Sequence, residues 1–268
     1  MNGSALPWVG VNMHRFIVAG EDLTDEQGII KGPEAHHLIN VLRLGPGDLV
    51  QLYDGQGTVC QGKIREIDNQ MVYIDLLSRQ EVEGPPLQVH LWQGLAKGQK
   101  MDFIVQKAAE LGATTLTPFS CRRSIVRLEG QKAQQKVARW QRIADEASKQ
   151  SGRPIPLQVE EVSSLPALLD SKKPDALGLL AYEGEEGRSL KDVLQGVDPP
   201  PEVNILIGPE GGFDPEEAAL AQEKGLLSVS LGPRILRTET AGMAVITMVL
   251  YQWGDLGGPP RKAGEGSG

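Results

Sequence analysis

Cysteine is scarce in this 268-residue sequence: Cys60 and Cys121 stand far apart. They supply neither a disulfide framework nor a zinc spacing. They suit a reducing compartment, so a cytoplasmic protein is expected. The four histidines, His14, His36, His37 and His90, show no metal-ligand spacing, and no metal is expected. No run of roughly 18 or more apolar residues occurs, so no membrane-spanning helix is expected. The first residues lack the basic-then-apolar order of an export signal, so secretion is not expected. Positive charge is in deficit overall, with a net charge of −8, which by itself disfavours a nucleic-acid partner.

The distribution of charge changes that reading. Residues 97–153 hold 12 Lys or Arg against 5 Asp or Glu, whereas 154–268 hold 9 against 18 and 1–80 hold 6 against 10. A basic block inside an acidic protein is either a localised polyanion-binding face or a solvated helix surface.

Two rhythms divide the chain. Residues 14–18, 49–53, 59–67 and 71–77 read as short strands with glycine-rich turns, and 34–44 as a short helix with Pro33 at its start and Gly45 after it. This pattern suggests a small barrel or sandwich. Gly84-Pro85-Pro86 reads as a linker. From Leu87 strands (87–91, 115–119, 175–182, 203–207, 226–231) alternate with helices (99–111, 131–150, 215–224, 238–253). Alternation of this kind predicts a parallel sheet with helices on both faces. Asp214, Pro215 and Glu217 form a capping box for one of these helices, and Gly225 ends it. The glycine-rich ends, 1–12 and 254–268, are not expected to pack.

Two turns carry the chemistry. Ile207-Gly208-Pro209-Glu210-Gly211-Gly212 follows one apolar strand, and Leu231-Gly232-Pro233-Arg234-Ile235-Leu236-Arg237-Thr238-Glu239 follows the next. In open α/β sheets ligands sit beyond the carboxyl ends of strands. The Lys-Ser or Lys-Thr pair of a phosphate loop is missing, and Pro209 removes an amide donor. An adenosine-like ligand without phosphates fits better. The second turn crowds two arginines, a glutamate and two apolar residues together, with Thr238 as a candidate helix cap. In 131–150, Trp140, Ile143, Ala144 and Ala147 form a buried stripe, while Arg139, Arg142 and Lys149, with Arg153 just beyond, are expected to lie off it. His37, Val41 and Leu44 share a face of the first helix.

Taken in series, five motifs resemble one family. They are His37-Leu38-x-x-Val41-Leu42-Arg43; Lys97-Gly98-x-Lys100-Met101-Asp102 with Gln106-Lys107-x-x-Glu110-Leu111-Gly112; Arg139-Trp140 with Glu146-Ala147-x-x-Gln150-Ser151-Gly152-Arg153; Ile207-Gly208-Pro209-Glu210-Gly211-Gly212; and Leu231-Gly232-x-Arg234-Ile235-Leu236-Arg237-x-Glu239-Thr240-Ala241. The pattern, over roughly residues 13–253, is similar to that of the small-subunit (16S) ribosomal RNA uridine N3-methyltransferases of the SPOUT class. That resemblance implies an α/β protein with a PUA-like RNA-binding β-barrel at 1–82, a SPOUT methyltransferase domain with a deep trefoil knot at 83–254, and a disordered tail at 255–268. It implies S-adenosylmethionine as methyl donor, held by Leu180, Ile207, Gly208, Pro209, Glu210, Gly211, Gly212, Leu231, Gly232, Ile235, Leu236, Arg237, Thr240 and Ala241. It implies ribosomal RNA or an assembled small subunit as partner, met by Arg15, His37, Arg43, Lys97, Lys100, Arg122, Arg123, Arg127, Arg139, Arg142 and Arg153. A homodimer is implied as well, with the apolar face of 243–250 as its candidate interface.

Uridine N3 carries a proton and is a poor nucleophile until it leaves. Arg237 is the first candidate to stabilise the resulting anion, with Arg15 or Arg153 as RNA-side alternatives. Glu239 or Glu210 would take the proton or orient the arginine. Three other readings stay open: the same chemistry on transfer RNA or large-subunit RNA, an RNA-binding assembly factor without catalysis, and a nucleotide-dependent enzyme unrelated to RNA.

Overall fold

The computed structural model describes residues 13–124 and 126–258, and divides the chain between Gly84 and Pro85. The expected loose ends at 1–12 and 259–268 lie outside the described residues. Residues 254–258 are described as bends and turns, with Leu256 packed on the core of the second unit.

The first unit is a five-stranded mixed sheet: β1 (His14–Ile17), β2 (Gln27–Ile30), β3 (Leu49–Tyr53), β4 (Thr58–Asp68) and β5 (Met71–Glu81), in the order β1-β3-β4-β5-β2. Only the β1–β3 pair is parallel. Asn69 (φ 47°) and Gln70 (φ 63°) turn β4 into β5 with the positive φ values of a two-residue hairpin. Alternate residues of β3, β4 and β5 face inward, burying Val50, Leu52, Cys60, Ile64, Val72 and Ile74 with Phe16, Ile30 and Leu38. The barrel expected from the sequence is not closed by hydrogen bonds. β1 and β2 occupy opposite ends of the order and do not pair among the described residues. The expected single helix at 34–44 is instead α1 (Gly32–His36) followed by a wider π turn at His37–Val41. The widening leaves Val41 62% exposed while His37 and Leu44 are half-buried. The segment stops at Arg43, whose φ of 56° cannot continue a helix.

The second unit is a parallel sheet. Its strands are β6 (Gln88–Gly94), β7 (Thr115–Ser120), β8 (Gln158–Val159), β9 (Ser163–Ser164), β10 (Leu177–Ala181), β11 (Glu202–Ile207) and β12 (Leu226–Val229). Their order is β12-β10-β11-β6-β7-β8, with β9 also on β7. All six residues of the central β11 are buried, as a strand covered on both faces requires. Helices α2 (Lys100–Leu111), α3 (Gly130–Ser151), α4 (Leu165–Asp170), α5 (Leu190–Gly196), α6 (Pro215–Glu223) and α7 (Thr238–Trp253) supply the cover. Val89, Leu91, Leu179 and Ile205 pack with α2, α5 and α7 in one core. Trp92, Leu180 and Leu206 pack with α4 and α6 in the other. The capping box of α6 forms as its residues predict: Asp214 caps and Glu217 reaches back to the Asp214 amide at 3.0 Å. No described helix is long and apolar enough to cross a membrane.

Candidate functional site

Register brings three strand ends to one level. Ala181 of β10 lies beside Ile207 of β11 and Val229 of β12, and all three strands run parallel. The loops that follow them therefore leave on the same side, and they enclose a cavity of about 530 Å3. Of the residues expected to hold a ligand, Ile207, Gly208, Pro209, Glu210, Gly212, Leu231, Gly232, Ile235, Leu236, Arg237 and Ala241 line it. Leu180, Gly211 and Thr240 do not. Leu180 is fully buried in the α4–α6 core because its side chain leaves the opposite face of β10. Gly211 backs onto Arg123, whose Cβ lies 3.1 Å from where a β-carbon on Gly211 would sit. Thr240 faces solvent on the first turn of α7. Sequence reasoning missed a third wall, formed by Tyr182, Glu183 and Glu185 in the loop after β10, and also Phe213 and Ser230.

The loops are tied by a chain of hydrogen bonds. Thr238 does not cap α7; Arg237 occupies the cap position. The Thr238 hydroxyl instead donates to the Gly208 carbonyl at 2.5 Å and accepts from the buried Gln93 amide at 2.8 Å. Gly94 ends β6 against the same turn. A β-carbon there would lie 2.5 Å from Pro209 N, so only glycine permits this approach.

Charge at the cavity is arranged by one cation. Lys100 Nζ, on the first residue of α2, lies 3.1 Å from Glu210 Oε1 and 3.4 Å from Glu239 Oε2. The Lys97 amide adds a 3.0 Å hydrogen bond to Glu210. Burial alone would raise the Glu210 carboxyl, but its own amide, the Lys97 amide and the Lys100 ammonium outweigh that and hold it below the usual carboxylate range. The Lys100 ammonium is raised in turn, chiefly by Glu210. Both glutamates thus close on Lys100 rather than on Arg237. The guanidinium groups of Arg234 and Arg237 make no hydrogen bond or ion pair among the described residues, and Ile235 between them is 85% exposed.

Several residues expected to meet RNA serve the fold. Arg153 donates through Nη1 to the carbonyls of Ala109 and Ala113, both at 2.8 Å, and so closes the end of α2. Burial pushes its pKa down. Arg139 pairs with Asp102, which also accepts from Trp140 Nε1 at 3.1 Å, linking α3 to α2. Lys149, expected off the buried stripe of α3, is instead buried. Arg122 bridges Glu216 and Asp214, and Arg123 reaches Asp214 and the Gly211 carbonyl. Arg127 and Arg142 are exposed and have no partner among the described residues, and the Lys97 side chain is also exposed. Arg15, His37 and Arg43 belong to the first unit, where Arg15 donates to Gln51 at 3.4 Å.

The cavity suits a particular ligand chemistry. Pro209 and Pro233 lack amide protons, so the turns cannot present the run of donors that cradles phosphate. The amides of Leu231, Ile235 and Leu236 donate to no other group among the described residues, while Ile207, Leu231, Leu236 and Ala241 add apolar surface. Gly232 lines the cavity with a φ of 103°, a left-handed conformation that favours glycine. Free amides beside apolar walls suit a flat, polar-edged base. Among the described residues no group of three or more His, Cys, Asp or Glu side chains is placed to hold a metal ion.

Known proteins share this fold. The RNA methyltransferase domain family matches residues 83–250, and the RNA methyltransferase PUA domain family matches residues 30–77. Ribosomal RNA small subunit methyltransferase E of Bacillus subtilis is 33% identical over 228 residues, covering 83% of this chain and 89% of its own. The Neisseria gonorrhoeae ribosomal RNA small subunit methyltransferase E, solved bound to S-adenosyl methionine, is 32% identical with a TM-score of 0.81, over 91% of this chain and 99% of that one. A putative methyltransferase from Legionella pneumophila, solved with its bound cofactor SAM, is 31% identical with a TM-score of 0.83, over 92% and 100%.

Proposed function

This chain belongs to the RNA methyltransferase family, and on that premise we propose that it transfers a methyl group from S-adenosylmethionine to N3 of a uridine in small-subunit (16S) ribosomal RNA. The observation that carries the proposal is the cavity at the level ends of β10, β11 and β12, in a fold whose relatives at 31–32% identity hold that donor. Ile207, Gly208, Pro209, Gly212, Leu231, Gly232, Ile235, Leu236 and Ala241 would hold it, with the free amides of Leu231, Ile235 and Leu236 facing the base. When bound, the donor supplies an electrophilic methyl group on a positively charged sulfur.

The protein's own task is then to present a deprotonated N3 in line with that methyl. The base-pairing edge must be reachable, so the uridine enters unpaired or extruded. Arg237, exposed and without a partner, stabilises the charge that develops on the uridine carbonyls. Glu210 and Glu239 orient a cation, and the cation is Lys100. Glu210, held below the usual carboxylate range, is a weak base, which favours orientation over proton abstraction for that residue.

The same proposal includes the finer fold: a PUA-like barrel in the first unit, left open between β1 and β2 among the described residues, a trefoil knot in the second, and a cytoplasmic homodimer. The partly exposed Met243 and Ala244 and the exposed Met248 and Tyr251 on α7 support a dimer face. The test is to incubate the protein with isotope-labelled donor and either 16S ribosomal RNA or assembled small subunits, then map the label by mass spectrometry. One N3-methyluridine is expected. Label on another base or another RNA, or none on either substrate, overturns the proposal.

A further inference from the structure

Four glutamates stand at or beside the cavity, and three are engaged. Glu185 accepts from the amides of Gly187 at 2.9 Å and Arg188 at 3.0 Å, which holds its own loop. Glu210 accepts from Lys97 and Lys100, and Glu239 shares Lys100. Glu183 lines the same cavity yet makes no hydrogen bond or ion pair among the described residues. Its Oε1 comes within 3.3 Å of the position a β-carbon on Gly212 would take, so the carboxylate lies over the Gly208–Gly212 turn that forms the adjacent wall.

A solvated carboxylate needs no partner. A carboxylate covered by a ligand does, because a desolvated and unmatched charge is costly. The cavity's own cations do not meet Glu183: Lys100 is engaged, and Arg234 and Arg237 make no ion pair. Glu183 is exposed, and a ligand that covers it and carries its own positive charge supplies the partner that the protein does not. S-adenosylmethionine carries two such charges, on its sulfur and on its α-amino group, and one negative charge on its α-carboxylate, while its adenosine part carries none. We propose that Glu183 receives a positive group of the methyl donor and makes the cavity select a ligand that bears such a group over one built on the same nucleoside without it. This rests on the cavity being the donor site.

Calorimetry with three ligands tests it: S-adenosylmethionine has both charges, S-adenosylhomocysteine has the ammonium only, and 5′-methylthioadenosine has neither. Glu183→Gln is expected to weaken S-adenosylmethionine roughly three- to tenfold and to leave 5′-methylthioadenosine unchanged. Loss confined to S-adenosylmethionine assigns the contact to the sulfonium, and loss shared with S-adenosylhomocysteine assigns it to the ammonium. Glu186→Gln, an exposed neighbour that does not line the cavity, is the control and is expected to bind all three like the parent. Equal loss for all three ligands, no loss for any, or the same loss in Glu186→Gln overturns the proposal. A thermal melt without ligand separates these outcomes from misfolding. If the parent protein binds none of the three, the donor-site reading itself falls.

Discussion

Lys100 Nζ lies 3.1 Å from Glu210 Oε1, and that ion pair joins the start of α2 to the turn after β11. Through Glu239 the same ammonium also holds the first turn of α7. Removing it leaves two carboxylates side by side at the cavity with nothing between them.

Lys100→Met is therefore expected to lower donor affinity about tenfold, and Lys100→Arg to restore most of it. The pH dependence follows from the two shifts. Glu210 is depressed, so its contribution is present above the ordinary carboxylate pKa and is lost as pH falls through the depressed value. Lys100 is raised, so its contribution is present below its ordinary pKa and is lost as pH rises through the raised value. The ratio of parent to Lys100→Met donor affinity, measured by calorimetry so that the donor's own titration cancels, should stay flat from about pH 5 to 10. A step in that ratio near neutrality would contradict the pairing.

Arg237→Ala separates chemistry from donor binding. Its guanidinium holds nothing in the protein, so the cavity should keep its shape without it. Turnover is expected to fall roughly 100-fold while donor affinity changes less than about threefold. Single-turnover methyl transfer and calorimetry on the same preparation decide it, and an unchanged rate removes Arg237 from the mechanism.

The basic block divides into free and engaged charges, and RNA binding should follow that division. Arg127→Ala and Arg142→Ala each remove an unpaired cation and are expected to reduce the slope of log affinity against log salt by about 1. Arg122→Ala and Arg123→Ala remove cations whose acidic partners remain, so a smaller change in slope is expected. Equal slopes in all four variants would show that the acidic partners do not screen these arginines.

Arg153 tests whether a motif arginine serves RNA or the fold. Two carbonyls at the end of α2 accept from its Nη1, that of Ala109 also from the Gly112 amide, and the group is half-buried. Arg153→Met keeps the packing stem but abandons those acceptors, at an expected cost of about 1–3 kcal/mol in stability. Denaturant unfolding measures this. The salt slope of RNA binding should not move, and if it does while stability holds, Arg153 faces RNA.

Much of the second unit is legible in the sequence because its punctuation is local. Asp214, Pro215 and Glu217 announce α6, and Gly112 and Gly152 end α2 and α3 in left-handed conformations. The short elements β2, α4 and α5 escape notice, since four to seven residues carry too little periodicity. At the site, the two glycine turns stand out because glycine and proline interrupt apolar strands. The third wall does not, because Tyr182, Glu183 and Glu185 follow β10 with no spacing that marks a ligand. Likewise nothing local tells that Arg139 will find Asp102, that Arg153 will find two carbonyls, or that Thr238 will bond to Gly208. Those partners are distant in sequence, and only the register of the parallel sheet brings them together.

Gly94 tests the closest of those long-range approaches. It ends β6 with its Cα turned toward Pro209, and a β-carbon would lie 2.5 Å from Pro209 N and 2.9 Å from the Gly208 carbonyl carbon. Both are backbone atoms, so no side-chain rotation relieves the clash. Gly94→Ala must push the 208–212 turn outward, which moves one cavity wall and strains the Thr238–Gly208 hydrogen bond. A loss of about 1–3 kcal/mol is expected, or roughly 3–10 °C in Tm, together with weaker donor binding. Gly196→Ala, where a β-carbon meets nothing within 4 Å, is the matched control and should melt like the parent. If Gly94→Ala melts and binds donor like its control, the contact between the end of β6 and the Gly208–Pro209 turn does not constrain the cavity.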